Sequence, residues 1–97
     1  MKIKKKQVVP TIQIIDDSEA DVVLFKDFLD ESLGKNKYKL VESASGNIGI
    51  SDFNKIRPDC VVLDFQLPDM DGVEILSNMI KAGADIIVVG NAIEKNS

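Results

Sequence analysis

The stretch Arg57-Pro58-Asp59-Cys60-Val61-Val62-Leu63-Asp64-Phe65-Gln66-Leu67-Pro68-Asp69-Met70-Asp71-Gly72-Val73-Glu74 decides the fold. Cys60 to Leu63 is an unbroken apolar run, short enough for a strand and apolar on both faces, as a central parallel strand must be. It stops abruptly on an acid, Asp64. Asp69-Met70-Asp71-Gly72 then reads as a turn feeding a helix N-terminus. From Gly72 onward, Val73, Leu76, Met79 and Ile80 recur at helical spacing, and Gly83 supplies the stop.

The same grammar repeats on both sides. Upstream, Thr11-Ile12-Gln13-Ile14-Ile15 is a strand of high β-propensity ending in Asp16-Asp17. Ser18 offers an N-cap, and Glu19 and Asp21 fall in the first turn, where the helix dipole favours acids. Val22, Phe25, either Phe28 or Leu29, and Leu33 mark one buried helical face, closed by Gly34. Tyr38 to Val41 is a short second strand. Ile50, Phe53 and Ile56 outline a weaker helix that closes before Pro58. Downstream, Ile86 to Val89 is a fourth strand, again apolar on both faces. Strands alternating with helices imply an α/β fold with a parallel sheet and right-handed crossovers.

Composition narrows the function. Ninety-seven residues leave room for one domain and one core. No apolar run exceeds four residues, too short for a membrane span or a secretory segment. The single cysteine, Cys60, has no internal disulfide partner and reads as an apolar filler of its strand, which suits a reduced, cytoplasmic protein. Without histidine, zinc-finger spacings and histidine-based triads are excluded. Residues 1–10 form a basic leader with Lys2, Lys4, Lys5 and Lys6, whereas residues 11–97, the expected domain, carry eight basic and sixteen acidic side chains. So acidic a body repels nucleic-acid phosphates, and the lysines read as solubilising a terminus.

In parallel α/β sheets the working site lies at the carboxyl ends of the strands. That rule brings Asp16 and Asp17, after strand one, to the same rim as Asp64, after strand three. Each acid alone has a structural explanation as a cap or turn residue. Together they raise one another's pKa unless a cation or hydrogen bonds compensate. A hard cation with oxygen ligands answers that need, and a small site with room for waters suits Mg²⁺ better than Ca²⁺. An aspartate can also act as a nucleophile toward phosphorus. Rival motifs fail: Asp69-Met70-Asp71-Gly72 lacks the remaining ligands of a calcium loop, and Gly46-Asn47-Ile48-Gly49 is neither a P-loop nor a dinucleotide fingerprint.

Ile12 to Ser18 and Arg57 to Glu74 resemble the receiver domain of two-component response regulators. The resemblance runs from residue 11 to about residue 92. It implies a flavodoxin-like sheet of order 2-1-3-4, an order whose five-stranded form includes a member of this family. By position, Asp64 matches the phosphoacceptor, charged by a histidine kinase or a histidine phosphotransfer protein. Asp17 matches the direct Mg²⁺ ligand, Asp16 the acid acting beside it, and Gln66 the residue whose backbone carbonyl completes the metal site. Pro68 and Gly72 match residues shaping the loop into the third helix.

Two departures accompany the resemblance. Where receivers place Ser or Thr after strand four, this chain has Gly90, or Asn91 with a one-residue shift. The usual fourth helix, fifth strand with its phosphate-pairing lysine and fifth helix have no counterpart before Ser97, and Lys95 does not match that lysine. Strand four is then an apolar edge, which implies a homodimer or another chain covering Ile86 to Val89. Two functions follow: a phosphoacceptor signalling domain that is not an enzyme in its own right, or a pseudo-receiver adaptor whose acids are remnants. A stand-alone phosphatase would need a general base and a pocket that the sequence does not offer.

Overall fold

A computed structural model describes residues 9–64, 66–84 and 87–89. Four strands and three helices alternate: β1 (Thr11–Ile15), α1 (Glu19–Leu33), β2 (Lys39–Ser43), α2 (Gly46–Ile56), β3 (Cys60–Leu63), α3 (Gly72–Lys81) and β4 (Ile87–Val89). All pairings are parallel and the sheet order is β2-β1-β3-β4, as expected. Expectations placed on Lys2 to Lys6, Ile86, Gly90, Asn91 and Lys95 lie outside the described residues. No helix among the described residues is long and apolar enough to cross a membrane.

Alternation along β1 and β3 divides the core. Ile12, Ile14 and Val62 pack with Val22 and Leu29 of α1 on one face. On the other, Ile15, Val61 and Leu63 pack with Phe53 of α2, Ile75 and Met79 of α3, and Leu67. Period-two side-chain direction makes this division automatic once the strands are buried on both faces.

The helices keep the expected ends but turn differently about their axes. Ser18 caps α1, its hydroxyl accepting from Asp21 N at 3.3 Å, and Gly34 ends it at φ +102°. The buried contacts of α1 are Val22 and Leu29, two turns apart. Of the alternatives Phe28 and Leu29, Leu29 takes that face and Phe28 is exposed, as is Leu33, also expected there. Phe28 is one residue, hence about 100° of rotation, away from Leu29, so both cannot face the sheet. In α3 the buried pair is Ile75 and Met79, while the expected Val73 and Ile80 face outward and Leu76 is half-buried. Ile56, expected on the apolar face of α2, is exposed at that helix's last position. The second strand also begins one residue later than expected. Tyr38 instead donates its hydroxyl to Asp30 Oδ1 at 2.6 Å, tying the end of the α1–β2 connection back to α1.

The seat of α2 depends on glycine. A Cβ at Gly49 would stand 2.7 Å from Ile15 Cδ1 and 3.0 Å from both its Cγ atoms. One at Gly46 would lie 2.8 Å from Met70 Cβ and 2.9 Å from Ile75 Cδ1. Gly46-Asn47-Ile48-Gly49 is thus the first turn of a helix pressed against β1, which explains two glycines three residues apart. Gly49→Ala is expected to cost about 1–3 kcal/mol through overpacking. A urea midpoint unchanged from wild type would contradict that seat.

Below this contact lies a polar tie. Buried Gln13 donates through Nε2 to Ser43 Oγ and to the Gly49 carbonyl, each at 2.9 Å, and Ser43 Oγ donates to Asp52 Oδ2 at 2.8 Å. It joins β1, β2 and α2. Gln13 Oε1 has no partner among the described residues, so the tie satisfies only one end of that amide.

Candidate functional site

Register fixes the site. Ile15 pairs with Leu63 at the end of the β1–β3 ladder. The ladder then runs one residue further: Asp64 N donates to the Ile15 carbonyl at 3.0 Å, and Asp16 N to the Ser43 carbonyl at 3.0 Å. Asp16 and Asp64 therefore leave neighbouring strands at the same height. Asp17 follows directly, before Ser18 starts α1. One carboxylate oxygen from each of Asp16, Asp17 and Asp64 lies within 4.8 Å of the others. The rim expected from the sequence is thus a real constellation of three side chains.

Their surroundings differ. Asp17 is exposed, whereas Asp16 and Asp64 are half-buried. Asp16 Oδ1 accepts from Ser18 N at 2.9 Å, which bends the chain from β1 into α1. The Asp16 carboxyl is pushed up to about 6, first by burial and then by the negative charges of Asp64, Asp21 and Asp17, against the lowering influence of the Ser18 N–H. Asp64 Oδ1 accepts from Gln66 N at 3.1 Å, and Gln66 forms an isolated antiparallel bridge with Asp71. That bridge closes residues 66–71 into a loop that starts beside Asp64. Asp71 caps α3, accepting from Val73 N at 3.1 Å, and Gly72 is buried at the first helical position.

An acid held above the ordinary 3.8 binds its proton more tightly when folded. Its ionisation therefore weakens the fold as pH rises from about 4 to about 6, and the full cost is present above that window. The cation-free chain is expected to gain stability as pH falls from 7 toward 5, and Asp16→Asn to remove most of that gain. Urea midpoints at the two pH values check this, and an equal gain in Asp16→Asn would contradict it. Asp69 is held below the ordinary range by the Gly46 and Asn47 N–H groups, so its own stabilisation is lost only in more acidic solution.

These residues suit a hard divalent cation. Three carboxylates supply oxygen donors only, one of them raised by burial and by its acidic neighbours, and the exposure of Asp17 leaves the site open to water. Gln66, expected to contribute a backbone carbonyl, lies on the adjoining loop, held by Asp64. Asp69 was missed as anything but a turn residue. Its carboxylate spans to the start of α2, accepting from Gly46 N at 2.8 Å and Asn47 N at 3.0 Å. No local signal announces a contact across 22 or 23 residues.

A parallel sheet of order 2-1-3-4 with helices on both faces and acids at its carboxyl rim defines a flavodoxin-like α/β domain. Residues 12–96 match the response regulator receiver domain, and the chain belongs to that family. It is similar to sporulation initiation phosphotransferase F of Bacillus subtilis, 36% identical over 78 residues, covering 80% of this chain and 60% of that protein. The polar-differentiation response regulator DivK of Brucella anthropi is 28% identical over 65 residues, 67% of this chain and 50% of DivK. The response regulator domain of Thermotoga maritima CheB superposes with a TM-score of 0.73 at 24% identity, over 93% of this chain and 66% of that one. This chain thus spans less than two thirds of each of these relatives. It is a receiver domain of the two-component type, a family of signalling domains.

Proposed function

We propose that the chain accepts a phosphoryl group on Asp64 from a phosphohistidine donor, a histidine kinase or a histidine phosphotransfer protein, with Mg²⁺ as cofactor. The observation that carries this reading is the approach of Asp16, Asp17 and Asp64 to within 4.8 Å at the rim of the sheet. Similarity to a phosphotransferase supports group transfer as the chemistry. In the transfer, an Asp64 oxygen forms the new O–P bond as the donor's N–P bond breaks, and the imidazole leaves with the electron pair. Asp64 Oδ1 is occupied by Gln66 N–H, while Oδ2 accepts no hydrogen bond among the described residues. Asp16, Asp17, Asp64 and the Gln66 carbonyl would hold the cation. Bound there, it would supply positive charge against the oxygens of the transferring group.

The test is incubation of the chain with a small acyl phosphate, with Mg²⁺ or with a chelator, followed by intact mass. A single phosphoryl adduct forming only with Mg²⁺ is expected. An adduct of equal yield in chelator, or none at all, overturns the reading.

Surface chemistry supports a partner as well. Leu24 and Phe28 on α1 and, on the opposite face of the sheet, Val73 and Ile80 on α3 are 53–60% exposed, apolar side chains of the kind protein partners cover. A second copy or another chain beside β4 is part of the proposal, as is a reducing cytoplasmic setting, which suits the unpaired Cys60. These exposed apolar side chains also favour the second reading, an adaptor indifferent to phosphorylation. A partner that binds wild type and Asp64→Asn equally, in the presence of phosphodonor, would select it.

A further inference from the structure

We propose that Asp69 is a positioning residue for the cation site, acting as a clasp that holds the 66–71 loop, and with it the Gln66 carbonyl, against the start of α2. The inference rests on the reading of Asp16, Asp17, Asp64 and Gln66 as the cation's holders, and extends it to a residue outside that set.

The first turn of α2 has free N–H groups that need acceptors. The hydroxyl of its own cap, Ser45, serves Ile48 N at 3.1 Å, and the Ser45 carbonyl serves Gly49 N at 2.9 Å. Gly46 N and Asn47 N are served from elsewhere in the chain, one by each oxygen of Asp69, at 2.8 and 3.0 Å. A carboxylate held by two N–H groups at once is fixed in direction as well as position. The positive end of the helix dipole favours its charge, and the two N–H groups hold its pKa down.

Packing holds the same junction. Gly46 is buried, and a Cβ there would collide with Met70, the residue next to Asp69. Leu67, on the other side of the loop, is sunk in the core. At its base the loop is closed by the Gln66–Asp71 bridge and by Gln66 N–H on Asp64. Asp69 is therefore the one polar anchor described at the tip of a loop whose base carries the fourth ligand. Without it, Leu67 and Met70 still bind the loop to the core and the bridge still closes its base, but the tip loses its described polar tie to α2. Residues that orient a ligand without touching the metal commonly change affinity by about 10- to 100-fold when removed.

The alternative is that Asp69 only caps α2. Ser45 distinguishes the two, because it caps the same helix without touching the loop. The full chain and its Asp69→Ala, Asp69→Asn and Ser45→Ala variants are titrated with MgCl₂ at low and high NaCl, following backbone amide resonances by NMR. Asp69→Ala is expected to weaken Mg²⁺ binding about tenfold. Asp69→Asn, which keeps one good acceptor, should lose less, and its loss should persist in high salt. Ser45→Ala should bind as wild type does. The Gly46 and Asn47 resonances should respond to Mg²⁺ in wild type and fall silent in Asp69→Ala. Should Asp69→Ala not fold, Asp69→Asn decides by the same criterion. Wild-type affinity in the Asp69 variants overturns the clasp alone. So does an equal loss in Ala and Asn that vanishes in high salt, or a loss in Ser45→Ala matching that in Asp69→Ala. A wild-type chain that ignores Mg²⁺ overturns the cation site itself, and the clasp with it.

Discussion

Asp64→Asn is expected to abolish the Mg²⁺-dependent phosphoryl adduct while leaving the fold intact. An asparagine amide has no anionic oxygen to attack phosphorus, so the loss should be complete rather than graded. The fold should survive because asparagine can still accept from Gln66 N, the one side-chain hydrogen bond described for Asp64, and because the residue is only half-buried. Removing a charge beside Asp16 also relieves part of the repulsion that raises its carboxyl, so the variant should be no less stable at neutral pH. Intact mass and a thermal melt read both halves of the expectation. An adduct surviving in Asp64→Asn would move the chemistry to another side chain.

The second large effect concerns stability. Ile75 is fully buried within the cluster formed with Ile15, Phe53, Leu63 and Met79, and its Cδ1 lies against the place where a Gly46 Cβ would stand. Ile75→Ala is expected to cost about 2–5 kcal/mol, from lost burial and the cavity left behind. Set against a total of about 5–15 kcal/mol for an ordinary domain, that is a large fraction. Ile80→Ala is the control, since Ile80 is 60% exposed and its loss should be small. Urea denaturation of the two variants compares them directly. Similar losses would mean that α3 is rotated relative to the description above.

Ile75 also shows where reading the sequence reaches its limit. Val73, Leu76, Met79 and Ile80 form a respectable helical stripe, yet the buried pair is Ile75 and Met79. In a short helix with apolar residues at 73, 75, 76, 79 and 80, two stripes satisfy the spacing, and only the position of the sheet chooses between them. The same ambiguity left Phe28 and Leu29 as alternatives on α1, and the sheet chose Leu29.

The strands bearing the acids were legible for the opposite reason. Thr11 to Ile15 and Cys60 to Leu63 are short apolar or β-branched runs that stop on charged residues, and a parallel sheet aligns their carboxyl ends. Convergence of Asp16, Asp17 and Asp64 then follows from topology. Ser18 was legible too, because a cap is a local signal. Asp69 and Gln13 were not. Their partners lie 22 or more residues away, and such contacts come into being only when β2, α2 and the 66–71 loop are assembled.

The central claim is that Asp16, Asp17 and Asp64 together receive a divalent cation. Calorimetric titration with MgCl₂ near pH 6 tests it most directly. The wild type should bind at millimolar Mg²⁺ or below and release a proton as Asp16 ionises, with both signals much reduced in Asp17→Asn. Heat and proton release indistinguishable between the two proteins, or absent from the wild type, would contradict it.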